Sequence, residues 1–112
     1  MAYDEGLAER VRELLADLVD PAEVREQRMF GGVAFMVRGN MCCGVHGSEL
    51  IARLSPEDGE DALGEPFARP MDMAGRPMRG WLFVGPATDF EEERLEGWVR
   101  RCLDHCLTLE PK

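Results

Sequence analysis

The chain has 112 residues, 45% apolar and 31% charged, and its 22 acids outweigh 13 bases to leave a formal charge of −9. A chain of this length makes one domain, expected to span 1–112, and buries roughly two-thirds of its unfolded surface, so a core forms without staples. The composition excludes a disordered or fibrous chain, and a pI near 4.7 excludes a domain-wide nucleic-acid surface, which needs clustered excess Lys and Arg.

The N-terminus, Met1-Ala2-Tyr3-Asp4-Glu5, lacks the basic and apolar regions of a signal peptide. Apolar stretches fall far short of the ~20 residues a membrane helix requires. The expectation is a cytoplasmic protein whose four cysteines, Cys42, Cys43, Cys102 and Cys106, are thiols.

The first predicted element is an amphipathic helix from about Asp4 to Val19, with Leu7, Val11, Leu14, Leu15 and Leu18 on one stripe and Asp4 as N-cap. Asp20-Pro21 ends it, because the residue before proline leaves the α region. Strands follow at Arg28-Met29-Phe30, Val33 to Arg38, Met41 to His46 and Leu50 to Leu54. Gly31-Gly32, Gly39-Asn40 and Gly47-Ser48-Glu49 separate them, and the Gly-Gly and Gly-Asn pairs supply the positive φ of tight hairpins. A short acidic helix spans Pro56 to Leu63 with Ser55 as cap. Pro70 to Met73 and Gly80 to Val84 read as two more strands, joined through Ala74-Gly75-Arg76-Pro77. The last helix runs from about Asp89 to Leu109, capped by Thr88 or Asp89, with Leu95, Trp98, Val99, Cys102, Leu103 and Cys106 as its buried stripe.

The order α–ββββ–α–ββ–α predicts a two-layer α+β domain: one mostly antiparallel sheet with helices on one face. Charge follows that division. Residues 1–23, 55–68 and 89–112, the helical segments, carry −5, −5 and −3, whereas the strand segments 24–54 and 69–88 carry +2 each.

Two clusters invite a chemical reading. The first is Cys42, Cys43, Cys102 and Cys106 with His46 and His105. Zinc takes four N or S ligands, usually paired at short spacing. Cys102 and Cys106 share a helix face, but Cys42 and His46 are ~13 Å apart on a regular strand, alternation turns Cys43 to the other face, and no Cys-x-x-Cys pair exists. The plainer reading makes the cysteines core residues. The second cluster is Arg69, Arg76, Arg79 and Trp81, a cationic, aromatic-edged patch suited to an anionic ligand or an acidic partner surface. Its plainer reading has the arginines packing over the sheet edge and pairing with helix acids.

Met36, Met41, Met71, Met73 and Met78 gather in the strand half, where methionine fills core gaps or populates adaptable binding faces. Neither histidine sits in a nucleophile constellation. Glu91-Glu92-Glu93 and the acids of Glu57 to Asp61 read as solvated helix faces. The glycine-rich stretches match neither a P-loop nor a dinucleotide turn.

The segment Arg28-Met29-Phe30-Gly31-Gly32-Val33-Ala34-Phe35-Met36-Val37, with Gly39-Asn40-Met41, resembles the opening signature of the TfoX/Sxy N-terminal domain family. Ala68-Arg69-Pro70-Met71-Asp72 and Gly75-Arg76-Pro77-Met78-Arg79-Gly80-Trp81-Leu82-Phe83-Val84 resemble its second signature, and the resemblance covers nearly the whole chain. It implies a two-layer α+β fold similar to secretion chaperones. The namesakes are bacterial regulators of natural competence that act with the cyclic-AMP receptor protein in transcription. They carry a second, C-terminal domain that these 112 residues lack, so a stand-alone module is expected. No catalytic residues come with the resemblance.

The expected function is therefore a regulatory or protein-interaction module without catalysis or cofactor. It would bind a protein partner or itself through the sheet edge and the Met/Arg-rich strands. The alternative is a small-ligand or metal-binding domain, an enzyme included, using Arg76 and Arg79 or the Cys/His set. Direct DNA binding ranks third.

Overall fold

In the computed structural model, which describes residues 3–29, 31–73 and 76–112, the order of elements is the predicted one. Helix α1 (Glu5–Leu18) starts where the Asp4 carboxylate accepts the Leu7 amide at 2.8 Å, and it buries Leu7, Val11, Leu14 and Leu15. A 3-10 turn at Pro21–Glu23 leads into strands β1 (Val24–Met29), β2 (Gly32–Val37), β3 (Asn40–His46) and β4 (Glu49–Arg53). Helix α2 (Pro56–Ala62), capped by Ser55, precedes β5 (Ala68–Met73), β6 (Arg76–Val84) and α3 (Glu92–Cys106). Phe30 and Ala74-Gly75, read from sequence as strand end and turn, lie outside the described residues.

The six strands form one antiparallel sheet in the order β1-β2-β3-β4-β6-β5. Helices α1 and α3 lie side by side on one face, α3 over β3 and β4, and α2 packs on β6. Leu7, Val11 and Leu15 of α1 meet Leu95, Val99 and Leu103 of α3 and Phe35, Val45, Leu50 and Leu82 of the sheet in one core. This is an α+β fold with its helices gathered as two-layer packing requires.

Four local expectations change. Strand β6 begins at Arg76, four residues before its predicted start, so Arg76-Pro77 belongs to the strand and not to the connection. The β2–β3 turn places positive φ on Arg38 (54°) and Gly39 (83°), not on Gly39-Asn40. Asn40 opens β3 instead, and its buried amide donates to the Glu110 carbonyl at 2.8 Å. Strand β1 begins at Val24, four residues before the predicted start, because its middle residues are exposed and polar and give no apolar signal. Helix α3 starts at Glu92 after Glu91, whose side chain makes no capping bond, so neither Thr88 nor Asp89 is its cap.

Candidate functional site

Side-chain alternation divides the sheet into two unlike faces. Val33, Phe35, Val37, Val45, Leu50, Ala52, Leu82 and Val84 turn toward the helices. Ala34, Met41, Ile51 and Met71 form a second buried cluster with Met29, Met36, Trp81 and Phe83 packed around it. All these residues lie on strands, and every strand contributes, so among the described residues no helix takes part in this cluster.

Strand register arranges the helix-free face in rows. In one, Arg25 stands opposite Met36, Met36 opposite Met41, and Arg53 opposite Trp81. Arg53 Nη1 donates to the Met41 carbonyl at 3.3 Å and joins the two halves of the row. In the next, Gln27, Ala34, Gly44, Ile51, Phe83 and Arg69 follow one another across all six strands. Guanidinium groups lie on the aromatic rings, Arg53 at 5.0 Å from the Trp81 centroid and Arg69 at 4.6 Å from Phe83, a cation–π geometry. The His46 ring meets Phe83 at 5.7 Å between centroids.

Ion pairing is uneven. Arg10, Arg12, Arg38, Arg69, Arg79, Arg100 and Arg101 each reach a carboxylate. Arg12 grips Glu26 with two nitrogens and holds its pKa below the usual carboxylate range, against an opposing effect of partial burial. Arg25 and Arg53, at either side of the Met36–Met41 pair, are in no ion pair among the described residues. In a chain with 22 acids, Arg53 lies over the Trp81 ring and Arg25 stands opposite Met36 without one.

The four cysteines come together in the core, on the opposite side of the sheet. A register shift between Phe35 and Met36 leaves Cys42 as an extra residue between Met41 and Cys43. The bulge turns both Cys42 and Cys43 inward, which corrects the expectation that Cys43 faces away. Both are fully buried, beside Cys102 and Cys106 of α3. Cys106 Sγ approaches the carbonyls of Val37 and Asn40 at 3.7 Å. Its thiol pKa is pushed up by the contact with Cys42 and by burial, and that of Cys102 chiefly by burial. For Cys42, the Cys106 contact acts downward, but the Cys43 contact and burial outweigh it. High pKa and burial make poor nucleophiles.

Of the predicted metal and thiol set, then, the four cysteines share one core while His46 sits across the sheet against Phe83. Among the described residues, no three His, Cys, Asp or Glu side chains form a metal-holding group. Of the predicted cationic patch, Arg69 and Trp81 lie on the helix-free face, Arg69 bound to Glu49, whereas Arg79 turns to Glu60 of α2 at 3.7 Å. Arg76 pairs with Met73 through the backbone of β6, and its side chain lies outside the described residues. Sequence reasoning missed Arg25, Arg53 and Phe83. Alternation from Ile51 puts Arg53 on this face, but only the β4–β6 register, with Arg53 against Trp81, brings it to the aromatic side chain.

The fold and this face define a two-layer α+β domain whose sheet, among the described residues, is covered by helices on one side only. The chain belongs to the TfoX N-terminal domain family, whose model matches residues 13–106. No curated protein matches it, and no solved structure does. Among the described residues no helix is long and apolar enough to cross a membrane.

Proposed function

We propose that the protein is a non-catalytic regulatory module of the cytoplasm that acts by holding a protein partner on the helix-free face of its sheet. The family supports a module like those of competence regulators. The observation that carries the reading is the Met29, Met36, Trp81 and Phe83 surface, contributed by strands alone and only partly buried. Methionine and aromatic side chains suit this task, the first because it repacks against varied surfaces and the second because it anchors interfaces.

Photo-reactive methionine incorporated in cells tests it. Adducts to another protein are expected at Met29 or Met36 and should disappear in Phe83→Asp, with the far-ultraviolet dichroism of the variant unchanged. Adducts confined to methionines away from this face, or unaltered by Phe83→Asp, would refute the assignment.

A further inference from the structure

Resting on that reading, we propose that the partner presents an acidic amphipathic helix, its apolar stripe seated on the partly buried Met36 above the buried Met41 and its carboxylates reaching Arg25 on one side and Arg53 on the other. The row Arg25, Met36, Met41, Arg53 crosses four adjacent strands, β1 to β4. Three strand intervals span ~14 Å. A helix with its side chains is about 10–12 Å across, so one lying along β2 and β3 fits between the two arginines. A recess of about 510 Å³, lined in part by Val24, Arg25, Met36 and Arg38, opens at the β1 end of this row.

Charge selects the chemistry of the occupant. Seven arginines of this acid-rich chain already have carboxylate partners; Arg25, Arg28, Arg53 and Arg94 have none among the described residues. Of these, Arg25 and Arg53 stand on the helix-free face, whereas Arg28 lies opposite the helix-facing Val33 and Arg94 is on α3. Two copies meeting face to face would set these cations against one another, which disfavours a symmetric dimer through this surface. A partner with acids flanking an apolar stripe satisfies both the cations and the methionines.

The test uses the full chain labelled with ¹³C at the methionine methyls and three synthetic helical peptides. All carry the same leucine stripe, flanked by glutamate, glutamine or lysine. The glutamate peptide is expected to shift the Met36 and Met41 methyls and to bind at least about tenfold more tightly than the glutamine peptide. That advantage should vanish in Arg25→Glu/Arg53→Glu and shrink as salt rises. Equal binding of the glutamate and glutamine peptides at those methyls would overturn the acidic partner and leave the docking face standing. If no peptide moves them, the docking face falls as well. Methyl shifts that appear on concentrating the protein alone, with a rise in sedimentation coefficient, would overturn the proposal in favour of a second copy as occupant.

Discussion

At the scale of single residues, one bulge decides the chemistry of four thiols. Strict alternation would bury one of Cys42 and Cys43 and turn the other to the helix-free face. The extra residue at the Phe35–Met36 register shift buries both. Contacts among the thiols, with burial, raise the pKa at Cys106 and, against the lowering Cys106 contact, at Cys42. Burial raises it at Cys102 and closes access to all four, so they should resist alkylation while the fold holds. With a stability in the usual range of about 5–15 kcal/mol, labelling at pH 8 should be slower by a factor of ~10³ or more than in denaturant. Mass spectrometry after an iodoacetamide pulse checks this. A single adduct formed at the unfolded-chain rate would mean that one cysteine stays accessible in the native protein. The helical spacing of Cys102 and Cys106 made their burial legible, because i and i+4 fall on one face whatever packs there. The fate of Cys43 was not legible, since a bulge depends on how the partner strand pairs. Arg53 was missed for the same reason: its place beside Trp81 is a property of register.

At the scale of elements, the predicted order was readable because amphipathic period, proline stops and glycine turns are local signals. What escaped depends on neighbours. Strand β1 is mostly polar, and it is a strand because β2 offers it a hydrogen-bonding edge. The seat of α2 on β6 is likewise non-local, and it rests on two glycines. A Cβ on Gly59 would come within 2.5 Å of the Gly80 Cα, and Gly80 itself holds φ +86° with the Leu54 carbonyl at 2.5 Å from where its own Cβ would be. Helix propensity alone favours Gly59→Ala by up to about 1 kcal/mol. The clash is with backbone, which cannot rotate away, and overpacking of this kind costs about 1–3 kcal/mol. The clash should win. Gly59→Ala is expected to lower Tm by several degrees, on the order of 4–8 °C per kcal/mol for a small domain, in differential scanning calorimetry. A variant as stable as the parent would show that α2 can lift from β6 at no cost.

At the scale of the whole molecule, a charge of −9 and the wiring of individual groups pull stability in opposite directions as pH falls. Lowering pH toward the pI of about 4.7 relieves self-repulsion and favours the compact state. His105 acts the other way. Burial, and then the nearby Arg53 charge, set its folded pKa below the ordinary 6.5, with Asp58 opposing. The unfolded chain therefore takes up that proton first, and the stability present above about pH 6.5 is lost as pH falls toward the folded pKa. Glu26 has the same sign in a lower window. Its folded pKa lies below 4.5, so its contribution is kept above that value and lost only in stronger acid. Salt separates the two effects. Diffuse repulsion between exposed charges is screened over ~3 Å at 1 M ionic strength, whereas the desolvation of a partly buried imidazole is not. In 1 M NaCl, Tm should therefore fall between pH 7.5 and 5.5, and His105→Gln should flatten that slope while leaving the acid limb below pH 4.5 in place. A parent whose Tm rises or stays level over that interval at high salt would show that protonating His105 costs the fold nothing.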